Sequence, residues 1–200
     1  MRIMSCCTGY ATDHSSSTYE FYSLDRLNKE QKEAVERLTG QRPRGRNIGF
    51  QYWVDFQDIP SNWIEELLSG PYDIMVSESY DWWSTKMSLP YDEDLLTELG
   101  RYECDYDGCG FRVRRVGDKM LLSFGYQLEY GAAFDALGEK PFRGLADLFE
   151  EIRGEILAGD FSALQVIHEH YGGYADKLGE EESRPLSESA ETLRDILFVH

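Results

Sequence analysis

Hydrophobic and polar residues follow two periods along this 200-residue chain. Alternation with a period of two, in runs rich in aromatic residues, predicts strands at 18–24, 48–56, 73–79, 82–89, 111–116 and 119–129. Apolar residues at helical spacing predict helices at 28–39, 60–69, 92–99, 145–157, 160–171 and 187–198. Elements in this order favour an α+β fold, with an antiparallel or mixed sheet covered by helices on one side and a ferredoxin-like core as one option.

Local signals support several of these boundaries. Asn28 followed by Gln31 matches a capping box, and Gly40 stands where that helix ends. Gly117-Asp118 separates two strand-like runs and predicts a tight hairpin, because glycine supplies the positive φ that a two-residue turn needs. The adjacent residues Trp82 and Trp83 must point to opposite sides of any strand that contains them.

The chain divides into three parts by composition. Residues 1–17 form a flexible N-terminal arm, residues 18–172 a single α+β domain, and residues 173–200 an acidic linker with a C-terminal helix. Hydrophobic residues make up 42% of the chain, which is enough to close one sizeable core. The four cysteines lack the spacing of a disulfide framework, and neither a signal peptide nor a run of 18 apolar residues is present. We therefore expect a soluble cytoplasmic protein with no contact to membranes.

The formal charge of −17 is concentrated in residues 55–107, where two Lys or Arg face fourteen Asp or Glu. Such a field repels phosphate backbones over about 8–10 Å, which disfavours direct binding of nucleic acid. It favours a protein partner with a basic surface. The alternative is that the acidic surface only keeps the protein in solution.

Several segments resemble, in order, the N-terminal part of an uncharacterised bacterial family. Residues 19–26, Tyr-Glu-Phe-Tyr-Ser-Leu-Asp-Arg, resemble the family's opening Tyr-Glu-Phe-x-x-x-Asp-Arg. Tyr52-Trp53-x-Asp55-Phe56, Trp82-Trp83 with the strand to Pro90, and Gly159-Asp160 are similar to its later motifs. The resemblance implies no activity, and a weaker similarity to accessory proteins of bacterial defence systems such as CRISPR effectors implies that the chain holds a partner.

The sequence contains none of the common catalytic or phosphate-binding motifs, so we predict no catalytic residues, no metal and no cofactor. Cys104 and Cys109 are too far apart for a usual zinc pair, and His168 and His170 point in different directions on a helix. Asp105 with Asp107 gives paired carboxylates that suit acid–base work or magnesium, but a chain this acidic contains such pairs by chance.

A basic loop carries Arg42, Arg44 and Arg46 next to Tyr52 and Trp53. Charge and stacking together would suit a phosphate or a single-stranded base. The simpler interpretation is an exposed loop whose arginines pair with the protein's own acids.

These observations favour a non-enzymatic adaptor that holds a protein partner on an acidic, aromatic surface. The residues predicted to contact the partner are Asp81, Trp82, Trp83, Asp92, Glu93, Asp94, Leu193 and Leu197. Two alternatives stay open: a small enzyme whose carboxylates act as acid and base, and an acidic mimic of nucleic acid.

Overall fold

A computed structural model describes residues 17–52, 59–79, 82–128, 140–172 and 185–198. Seven strands occur in these ranges: β1 (Ser17–Tyr22), β2 (Asn47–Tyr52), β3 (Ile74–Ser79), β4 (Trp82–Pro90), β5 (Cys104–Tyr106), β6 (Cys109–Val116) and β7 (Lys119–Gln127). Six helices accompany them: α1 (Lys29–Thr39), α2 (Ser61–Ser69), α3 (Glu93–Gly100), α4 (Pro141–Leu157), α5 (Ser162–Tyr171) and α6 (Glu188–Phe198).

The seven strands form one antiparallel sheet in the order β2-β1-β3-β4-β7-β6-β5. This confirms the predicted α+β fold and its antiparallel sheet. The topology is not ferredoxin-like, because β1 and β2, which α1 connects, pair directly, whereas a split βαβ unit places another strand between them.

The pairing of β4 with β7 joins the two halves of the sheet. It runs through nine residue pairs, from Trp82 opposite Gln127 to Pro90 opposite Lys119. Because side chains alternate along a strand, this register decides which residues of β4 face each side of the sheet. Trp83, Met87 and Leu89 are buried on one side, and Ser84 and Lys86 point to the other.

The first face of the sheet, defined by Trp83 and Phe124, is covered by α4, α5 and α6. The helix residues that pack against it include Phe149, Leu164 and Leu193, all fully buried. The rings of Phe124 and Phe149 meet with centroids 4.9 Å apart. This layer contains the larger of the two apolar clusters that the described residues form.

The second face, defined by Phe21 and Lys86, is covered by helices over the β2-β1-β3 side. Phe21 packs there against Val35 of α1 and against Leu67 and Leu68 of α2. Helices thus lie on both faces, which corrects the prediction that they cover one side. The physical reason is that β1 and β3 carry apolar residues at consecutive positions, so that both of their faces must be shielded from water.

The C-terminal helix α6 belongs to the same core and is not an exposed docking stripe. Leu193 and Leu197 are buried against α4 and α5, which removes both residues from the predicted partner surface. The carboxylate of Glu155 on α4 accepts hydrogen bonds from Ser187 and Ser189 at 3.0 and 2.5 Å. These bonds fix the start of α6 on the core.

The hairpin β5–β6 was not predicted, although its turn, Asp107-Gly108, has a sequence typical of a two-residue hairpin. Both turn residues have positive φ, at 52° and 85°. The hairpin folds over the second face, and the Gly108 carbonyl oxygen lies where a Cβ of Gly125 would be. The lack of a side chain at Gly125 therefore permits this close approach.

Local signals in the sequence are confirmed where the structure describes them. Asn28 and Gln31 form the capping box of α1, each side chain accepting from the other residue's backbone N–H at 2.9 Å. Gly40 ends that helix in the left-handed region. No helix in the described ranges is long and apolar enough to cross a membrane.

We expect Gly125→Ala to lower the free energy of unfolding by about 1–3 kcal/mol, because the new methyl group would collide with the Gly108 carbonyl. Gly154→Ala is the matched control. Gly154 lies in α4 with open space around it, so alanine should raise stability by about 0.5–1 kcal/mol. Urea unfolding of both variants measures the difference, and equal stability of Gly125→Ala and the unmodified chain would contradict the close approach.

Candidate functional site

A groove of about 390 Å³ opens on the second face, at the end of the sheet where β4 begins. We call it the Trp82 groove. Two neighbouring rows of cross-strand residues form its floor: Ser77–Ser84–Gly125–Gly110 and Lys86–Ser123–Arg112. Because small residues fill most of these positions, space remains above the strands.

Two structures close the groove at its sides. Trp82 lies one row nearer the end of the sheet, and its ring lies against the turn at Gly108. The β5–β6 hairpin forms the adjoining wall, where Asp105 accepts a hydrogen bond from the Gly108 N–H at 3.0 Å and forms an ion pair with Arg112. The groove thus combines an aromatic wall, a hydroxyl-rich floor and charged side chains of both signs.

The two adjacent tryptophans have opposite environments, as the sequence predicted for neighbouring residues of one strand. Trp82 is 39% exposed, whereas Trp83 is 1% exposed and packs against the Phe142 ring at 5.1 Å. Trp83 therefore belongs to the core, which corrects its assignment to the partner surface. The assignment of Trp82 to that surface stays a prediction, and its exposure is compatible with it.

The acidic residues Asp92, Glu93 and Asp94 do not join Trp82 in one patch. They follow the far end of β4, roughly 26 Å from Trp82 along a nine-residue strand. Asp92 caps α3, accepting from the Leu95 N–H at 2.8 Å, and the other two lie in the first turn, where the helix dipole favours negative charge. Their positions have a structural explanation, and Asp81 lies outside the described residues.

The cysteines and histidines that suggested metal binding have other contacts in the described structure. His168 contacts the Tyr102 carbonyl through Nδ1 at 3.3 Å, while the His170 ring packs edge-on against Tyr171 and Phe198. Burial raises the pKa of both Cys104 and Cys109. Within the described ranges, no three Asp, Glu, His or Cys side chains gather as a metal site.

The arginines of the basic loop partly bind the chain itself. Arg42 pairs with Glu36 at 2.9 Å, and Arg46 donates to the Leu24 carbonyl at 3.1 Å. Trp53 and the side chain of Tyr52 lie outside the described residues. This arrangement agrees with the interpretation of the loop as exposed and locally paired.

Lys86 is the residue that the sequence interpretation missed. It is half-buried on the groove floor, and burial lowers its pKa, as does the nearby charge of Arg114, against a smaller opposing effect of Glu65. The signal was present in residues 82–89, where the polar residues Ser84, Lys86 and Ser88 alternate with Trp83, Met87 and Leu89. That alternation marks a strand whose second face is polar.

Because the pKa of Lys86 is lower in the folded than in the unfolded chain, its charge destabilises the fold below the folded pKa. We expect Lys86→Met to raise the free energy of unfolding at about pH 7. The gain should shrink as the pH rises through the folded pKa towards the unfolded value, since both states then hold a neutral amine.

Lys119→Met is the matched control for this measurement. Lys119 also has a lowered pKa, but its ammonium donates to the Leu68 and Gly70 carbonyls at 3.1 and 3.2 Å. Its removal leaves both carbonyls without that donor and should not stabilise the fold. Urea unfolding at several pH values tests both variants; a loss of stability in Lys86→Met at neutral pH would contradict the prediction.

Comparisons with models of protein families, with curated proteins and with solved structures found no match for this chain. The proposals for its function therefore rest on the geometry of the Trp82 groove and its surroundings.

Proposed function

We infer that this chain is a non-enzymatic binding protein that holds a protein partner at the Trp82 groove. The observation that carries the proposal is the partly exposed indole of Trp82 at the mouth of a groove that the described helices leave open. Tryptophan is enriched among the residues that dominate binding energy, because it buries a large rigid surface and can still donate a hydrogen bond.

The charge around this indole supports a partner with a basic surface. Asp105 and Asp107 are exposed in the hairpin that touches Trp82. A cationic side chain of the partner could lie over the indole face and near these carboxylates. The net charge of −17 would speed the encounter with such a partner and repel acidic ones.

The location and cellular setting of this function are part of the proposal. We place its action in the cytoplasm, where the free thiols of Cys104 and Cys109 would stay reduced. The resemblance of residues 19–26 and later segments to a bacterial family suggests a bacterial setting, and the weaker similarity to accessory proteins of defence systems suggests that the chain acts beside such a system. Glu78 and Asp105 line the groove but His168 does not, so the groove lacks the combination of a carboxylate with His168 that would favour the small-enzyme alternative.

We expect Trp82→Ala to weaken capture of the partner by about thirtyfold, which corresponds to a loss of about 2 kcal/mol of binding free energy. The measurement is affinity purification of the tagged chain from extracts of its native host at low and high salt, followed by quantification of the protein that co-purifies in stoichiometric amount. High salt should also release the partner, because charge steers the encounter.

Tyr106→Ala is the matched control, since Tyr106 is an aromatic residue that is 69% exposed and points to the opposite side of the sheet. This variant should keep the partner. Urea unfolding confirms that both variants fold. Capture that survives Trp82→Ala and is lost with Tyr106→Ala would place the contact elsewhere and refute the proposal.

A further inference from the structure

The second face contains two half-buried lysines with different surroundings. Lys119 lies at the C-terminal end of α2 and donates to two backbone carbonyls there. Lys86 makes no hydrogen bond and no ion pair with any residue of the described ranges, although it lines the Trp82 groove. A buried ammonium needs a partner that compensates for its lost hydration.

Glu65, whose charge acts on Lys86, and Asp105, which lines the groove, are each paired with an arginine. Arg114 forms an ion pair with Glu65 at 2.5 Å, and Arg112 forms one with Asp105. Lys86 itself forms no ion pair within the described ranges, and the charge of Glu65 only partly offsets the effects of burial and of Arg114 on the Lys86 pKa. The groove thus places Lys86 and Arg112 beside Glu78 and Asp105, in a protein whose overall charge is strongly negative.

Serine hydroxyls surround the Lys86 position. Ser123 lies directly across from Lys86 on β7, Ser84 precedes it by two residues on the same face, and Ser77 is the diagonal neighbour on β3. The hydroxyls of Ser84 and Ser123 make no hydrogen bond with the described part of the chain, and both residues line the groove. They offer donors beside the ammonium without adding negative charge.

We propose that the Trp82 groove binds an anionic group, a carboxylate or a phosphoryl group, with Lys86 as the charged partner and Ser84 and Ser123 as hydrogen-bond donors. Charge-assisted hydrogen bonds from an ammonium to anionic oxygens are among the stronger polar contacts in proteins. Trp82 then contacts the remainder of the ligand as one wall of the groove. This site concerns a small anion and does not depend on the protein partner proposed above.

The energetics of Lys86 agree with such a site. Burial lowers the pKa of its ammonium, so the empty groove keeps a charge at some expense of stability. A bound anion reverses this effect, because an opposite charge within a few ångströms favours the protonated lysine. A residue that destabilises the free protein and is stabilised by ligand is characteristic of a binding position.

The test is a titration of the full chain with sodium phosphate and, separately, with sodium acetate, at constant ionic strength, followed by amide NMR. We expect saturable shifts of the Ser84, Lys86 and Ser123 amides with at least one anion. A response to phosphate alone would assign the phosphoryl class, and a response to acetate alone would assign the carboxylate class. Both outcomes support the site.

The affinities of three variants distinguish binding at the proposed site from a general attraction of anions to the protein surface. Lys86→Met should weaken the affinity by about tenfold or more, whereas Lys119→Met should leave it unchanged. Ser123→Ala, which keeps the charge, should weaken it by a smaller factor. No saturable shift with either anion, or an equal loss in the two lysine variants, would overturn the proposal, and neither result bears on capture of a partner through Trp82.

Discussion

The antiparallel pairing of β4 with β7 is the constraint on which the rest of the structure depends. It joins the strands β2-β1-β3-β4 to the strands β7-β6-β5. The two paired strands are separated in the chain by α3 and the β5–β6 hairpin. A shift of this register by one residue would exchange the side chains of β4 between the two faces. Trp83 would then leave the core and Lys86 would enter it, so the packing of α4 and the composition of the groove are fixed together.

The two faces of the sheet differ in their residues and in how far helices cover them. The first face is shielded by α4, α5 and α6 and holds the larger apolar cluster. The second face is apolar on the β2-β1-β3 side and polar around Ser84, Lys86 and Ser123, where the described helices leave it open. β4 contributes residues to both faces because its successive side chains point to opposite sides of the sheet. The Trp82 groove therefore lies where the described helices do not cover the sheet.

Most elements of the fold were predictable from local signals, because hydrophobic periods, the capping box at Asn28 and the turn at Gly117 act over a few residues. Strand order was not predictable, since it depends on pairings between distant segments such as β4 and β7. The candidate site was predicted only at Trp82. Asp92, Glu93 and Asp94 are close to Trp82 in sequence, but they follow the far end of β4. Lys86 became a candidate only because strand pairing places it beside residues of β6 and β7 that are distant in sequence.

The opposite environments of Trp82 and Trp83 also give the molecule two optical probes at consecutive positions. An indole in contact with water emits at longer wavelength than one surrounded by apolar groups. Trp83, packed against Phe142, reports whether the core is intact, whereas Trp82 reports what happens at the mouth of the groove. Replacing either residue with phenylalanine removes one signal and keeps an aromatic ring in place. Because Trp53 and Trp63 also fluoresce, the difference between the spectra of the unmodified chain and of each phenylalanine variant isolates one signal, so that occupancy of the groove and integrity of the fold can be followed separately.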